Sequence, residues 1–158
     1  MAYDFNADDV FEMAVQIEKN GADFYRKAAG DVTDEESQKL LLGLAEMEDE
    51  HERIFVDLRA SLTGREKAGT VFDPEDQAAQ YLRALADTRV FFEKQIDTTS
   101  MEEILKAAIL AEKDSILFYL GMKEMVPDEM GKNKLDKIIG EEMGHISLLS
   151  GKLISLAN

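Results

Sequence analysis

Residues 43–55 read "GLAEMEDEHERIF". The stretch has helical spacing, with Leu44, His51 and Phe55 on one stripe and Glu46, Glu50 and Glu52 off it. Glu48 breaks the rule. It sits with His51 on the stripe that should face a core, where leucine is expected. The chain has only two histidines, and the other lies in "IIGEEMGHISLL", residues 138–149, where Glu142 again stands three positions before His145. A histidine on an apolar stripe is ordinarily a satisfied core residue. Two of them with the same glutamate at the same spacing need another account.

The account begins with a repeat. An offset of 94 residues carries Glu48 and His51 onto Glu142 and His145, and "EKNGADFY" from Glu18 onto "EKDSILFY" from Glu112. The same offset aligns Ala14 with Ala108 and Tyr25 with Tyr119, without a gap. Much of this identity falls on polar and aromatic residues, whereas a repeat kept for packing alone would keep its leucines.

Helix signals surround the repeat. The first helix is expected from about Ala7 to Ala29, capped by Asn6, with Asp8 and Asp9 at its positive end and Gly30 closing it. A capping box of Thr33 and Glu36 opens a second helix that reaches about Leu62. Residues 63–99 form a long crossover, with a shorter helix after Pro74. Ser100 and Glu103 cap a third helix to about Met125, Pro127 breaks the chain, and a fourth runs to the end. No stretch alternates as a strand does. The expectation is an all-α protein of one domain, residues 1–158: a four-helix bundle of two antiparallel hairpins, 7–62 and 100–157.

Folding such a bundle concentrates charge. Glu18 and Glu48 each lie roughly 20 Å along their helices from the first turn, and Glu112 and Glu142 stand at equal depth from the turn at Pro127. Each shares a stripe with apolar residues, such as Phe11 and Ala14 for Glu18 or Leu135 and Ile138 for Glu142. Four carboxylates and two imidazoles therefore enter one buried layer. Buried like charges are prohibitive unless neutralised. Two divalent cations balance four carboxylates, and oxygen with imidazole nitrogen suits iron or manganese, with zinc as a substitute. Candidate ligands are Glu18, Glu48, His51, Glu112, Glu142 and His145. Tyr25 and Tyr119 lie on the same faces, either as ordinary core aromatics or as donors of a hydrogen bond to a ligand of the other hairpin. Glu46, Glu50, Glu52 and Glu141 read as solvated faces, and the eight methionines as core filler.

Composition narrows the partners. A formal net charge of −15 argues against nucleic acid and anionic membrane surfaces. With no cysteine, disulfides and thiolate metal sites are excluded. The opening "MAYDFNADDV" lacks the basic and apolar regions of a signal peptide, and no apolar run reaches transmembrane length, so a cytoplasmic location is expected.

The six positions together with the two "EKxxxxFY" stretches resemble the di-iron domain of the rubrerythrins, within the ferritin-like superfamily. The resemblance spans nearly the whole chain. It implies that the six residues ligate two irons, that Tyr25 and Tyr119 are the tyrosines behind them, and that the bundle is often dimeric. It further implies reduction of hydrogen peroxide with electrons from rubredoxin. Two departures stand out. Typical rubrerythrins carry a cysteine-rich rubredoxin domain, so electrons here are expected from a separate donor. They also carry a glutamate one turn after the third-helix ligand, where this chain has Ser115. Oxidation and storage of ferrous iron with dioxygen, as in bacterioferritin, uses the same six ligand types, and a non-catalytic metal-binding or sensing protein is a further alternative.

Overall fold

The computed structural model describes residues 7–62, 80–82, 84, 96–125 and 131–158. Within them lie four long helices: α1 (Ala7–Asp31), α2 (Glu35–Ala60), α3 (Met101–Met125) and α4 (Lys132–Ala157). The closest packing is between α1 and α2 and between α3 and α4, the two hairpins of the repeat. Asn6, Pro74 and Pro127 lie outside the described residues, as does most of the expected short helix of the crossover. Of that segment, residues 80–82 and 84 are helical.

The core has three levels. At one end Phe11, Phe55, Phe118, Met122 and Ile138 draw all four helices together. At the other, Leu41, Leu44, Ile104, Leu105 and Leu149 do the same with Ala28. Between them lies the layer of buried polar residues: Glu18, Glu48, His51, Glu112, Ser115, Glu142 and His145. Apolar burial at both ends supplies the free energy that holds this layer out of water. The methionines are divided. Met122 is buried in the core, but Met47 and Met143 are exposed, so core filling does not describe all eight.

The helix ends differ from expectation in two places. Gly30 does not close α1, which runs to Asp31, where Val32 N–H still donates to Ala28 O at 3.1 Å. Val32 is buried, and its anchorage keeps the last turn helical through the glycine. Asp34, not Thr33, caps α2, its carboxylate accepting Ser37 N–H at 2.9 Å. A charged acceptor at the positive helix end outcompetes the neighbouring hydroxyl. Ser100 caps α3 as expected, accepting Glu103 N–H at 3.3 Å. Gly131 enters α4 at φ 110°, left-handed backbone that favours glycine, with Leu58 packed against it.

Candidate metal centre

Each hairpin contributes one lone glutamate and one Glu-x-x-His pair. The three-residue spacing puts glutamate and histidine on one helical face, so Glu48 and His51 of α2 look inward together, as do Glu142 and His145 of α4. Glu18 of α1 and Glu112 of α3 complete the layer from the other two helices.

The donors form two overlapping groups. Glu18, Glu48, His51 and Glu142 bring one ligand atom each to within 4.8 Å of one another, as do Glu48, Glu112, Glu142 and His145. Glu48 and Glu142 belong to both groups, and so stand between two positions. His51 Nδ1 is 2.9 Å from Glu142 Oε1 and 3.5 Å from Glu18 Oε2. His145 Nδ1 is 3.2 Å from Glu48 Oε1 and 3.4 Å from Glu112 Oε1. The two rings lie 5.9 Å apart and are inclined by 21°. The geometry repeats under the sequence offset, so the hairpin repeat is also a local two-fold in space.

The tyrosines obey the same symmetry. Tyr25 of the first hairpin donates to Glu112 Oε1 of the second at 2.5 Å, and Tyr119 of the second donates to Glu18 Oε1 of the first. Burial first, then the surrounding carboxylates, push both phenols well above their ordinary pKa, so they remain donors. Each ties the two hairpins together through the charged layer.

Electrostatics shows how tightly the layer is loaded. Burial, followed by the charges of Glu18 and Glu112, pushes Glu142 up to about 8. Glu48 is raised well above the usual range by burial and by Glu18 and Glu142. Burial acts upward on Glu112 too, but contacts with Glu142, His145 and Tyr25 bring it below the ordinary carboxylate value. For the imidazoles, burial acts downward yet loses to the adjacent carboxylates. His51, beside Glu142 and Glu18, rises to about 11 and His145, beside Glu112 and Glu142, to about 9. The metal-free layer is thus held together by protons.

The atoms left over point to a cation. Glu18 Oε2, Glu48 Oε1, both Glu142 oxygens, His51 Nδ1 and His145 Nδ1 are buried without a hydrogen-bond partner. Such groups are costly to bury unsatisfied. Four carboxylate oxygens and two imidazole nitrogens without partners fit two divalent ions, which would take the place of the protons.

Three further residues shape the surroundings. Gly21, the repeat partner of Ser115, lets α1 approach the layer, since a Cβ there would stand 3.0 Å from Glu48 Oε2. Ser115 is buried, but its hydroxyl donates to Ala111 O at 3.0 Å within its own helix. Glu141 overturns its reading as a solvated face. Only half-buried, its Oε2 accepts from His51 Nε2 at 2.6 Å. The sequence signal was adjacency to Glu142, but only the packing of α2 against α4 decides which acid on that turn meets a ring 90 positions away.

The chain matches the rubrerythrin family model over residues 9–153. It belongs to the rubrerythrin family. Among solved structures, this rubrerythrin-family chain is similar to a Thermotoga maritima protein put forward as a ferritin-like diiron-carboxylate protein. Identity is 24%, coverage 97% of either chain and the TM-score 0.70. At that identity the likeness establishes the fold: a ferritin-like four-helix bundle. Among curated proteins none matches. No helix of the described residues is long and apolar enough to cross a membrane.

Proposed function

We propose that this chain is a non-haem di-iron carboxylate oxidoreductase that reduces hydrogen peroxide with electrons from an external donor protein such as rubredoxin. The observation that carries the reading is the buried set of six donors, five of which hold atoms lacking hydrogen-bond partners. Glu18, Glu48, His51, Glu112, Glu142 and His145 would hold the two ions, with manganese or zinc as substitutes for iron. When bound, the iron pair supplies two electrons to the O–O bond and the positive charge that stabilises the departing oxygens.

The rest falls to the chain's own residues. Glu48 and Glu142, common to both donor groups, hold the two positions together. Tyr119 and Tyr25 fix Glu18 and Glu112 by one oxygen each, leaving the other oxygen to the centre. A small pocket lined by Gly21, Tyr25, Glu48, Ala111, Glu112 and Ser115 lies against the layer between α1 and α3. The apolar levels above and below keep bulk water from the reacting atoms.

Ser115 favours a second reading. Its hydroxyl is committed to Ala111 O, so this turn adds no seventh acidic ligand, and a six-ligand centre is the set used for oxidation of ferrous iron by dioxygen. Stopped-flow oxidation of the ferrous protein by each oxidant, with sizing of the assembly, separates the two. Peroxide should react faster than dioxygen, with turnover only when a reductant is supplied, in a small oligomer such as a homodimer. A hollow assembly that mineralises iron without preference for peroxide would establish the storage reading instead. Slow reaction with both oxidants would point to binding or sensing.

A further inference from the structure

We infer that the two metal positions are unequal, and that Glu141 makes the His51 position the tighter. The inference rests on the metal centre proposed above. An imidazole that ligates through Nδ1 must carry its proton on Nε2. A carboxylate that accepts that proton selects the tautomer, orients the ring and raises the electron density at Nδ1. His51 has such a carboxylate. Glu141 Oε2 lies 2.6 Å from His51 Nε2, and its other oxygen is 3.7 Å from Lys137 Nζ.

The other half of the molecule lacks this device. Carboxylates, imidazoles and tyrosines all exchange under the 94-residue offset, but Glu141 falls on Met47. Met47 stands immediately before Glu48 as Glu141 stands before Glu142, yet a thioether is a poor acceptor. Accordingly, His145 Nε2 is buried with no hydrogen-bond partner among the described residues. Carboxylates approach this ring only at Nδ1, where Glu48 and Glu112 lie at 3.2 and 3.4 Å, and no acceptor on the Nε2 side favours the tautomer that leaves Nδ1 free. The asymmetry lies behind the ligands rather than among them. Glu141 is therefore a positioning residue: it acts on the centre through His51.

Titration of the metal-free protein with manganese(II), followed by calorimetry and electron paramagnetic resonance, tests this without any turnover. The wild type should bind two ions per chain in steps separated by about 10–100-fold. Glu141→Gln should weaken the tight step by about that factor and leave the weak one unchanged. Met47→Glu, at an exposed position, should strengthen the weak step. His145→Ala should keep one tight site, and His51→Ala one weak site. Two equal steps in the wild type would overturn the inference while leaving the metal centre standing. So would unchanged constants in Glu141→Gln, or a tight site that survives His51→Ala. Fewer than two ions per wild-type chain would strike down the metal centre itself, and the inequality with it.

Discussion

Tyr119 and Glu18 meet across 101 positions of chain, and Tyr25 and Glu112 across 87. Each phenol gives its one proton to a buried carboxylate that has few other donors. Replacing either tyrosine by phenylalanine keeps the ring packing and removes only that donor. The stability lost should be about 1.5–3 kcal/mol, the range for hydrogen bonds to charged groups, read from denaturant unfolding. The two-fold relation between the contacts makes a further demand: Tyr25→Phe and Tyr119→Phe should cost similar amounts. A large difference would mean that the tyrosines do unlike work. At this scale the sequence is unusually legible. A glutamate on an apolar stripe marks itself as out of place, and the histidine beside it marks it again. Glu141 carries no such mark, because it stands on the polar side of its helix and finds its partner only through the packing of another hairpin.

Helix α1 approaches the charged layer through Gly21. A methyl group there would stand 3.0 Å from Glu48 Oε2, the far end of a flexible side chain. In the metal-free protein that side chain can give way, and alanine in place of a mid-helix glycine gains about 1 kcal/mol of helix propensity. With metal bound, Glu48 is needed in place by both donor groups. Gly21→Ala should therefore leave metal-free stability equal or higher and weaken metal binding on the order of tenfold at both positions. Thermal unfolding and manganese titration of the same variant check the two halves of the forecast. Element ends were less legible than element faces. Thr33 and Asp34 are both good caps one residue apart, and the choice is made by local geometry.

Across the whole molecule, the layer makes stability depend on pH. Glu142 at about 8, and His51 and His145 at about 11 and 9, all lie above the ordinary values of their types. The folded, metal-free protein thus binds protons that the unfolded chain releases. A raised folded-state pKa gives stability that is fully present below the unfolded pKa and lost as pH rises through the folded one. The melting temperature of metal-free protein should fall from about pH 6 to about pH 9. Metal replaces those protons, so the difference between loaded and metal-free protein should widen over the same range. Two sites held at a hundred times their Kd contribute about 2.7 kcal/mol each, a rise in melting temperature on the order of 10 °C or more. Equal midpoints with and without metal near neutral pH would show that the layer does not bind as described.

The sequence by itself determined the helical class, the hairpin repeat and the six polar residues that share one buried layer, because each rests on periodicity along one helix or on comparison of the chain with itself. It also placed the donors at one depth, since rise per residue converts spacing into height. What it left open is how the helices are turned toward one another. Only the tertiary structure decided that each tyrosine reaches the opposite hairpin, that Ser115 turns to its own backbone, and that Glu141 rather than solvent meets His51. These contacts join residues on different helices or choose between rotamers on one. They are settled by how the two apolar ends pack, which no local pattern in the chain encodes.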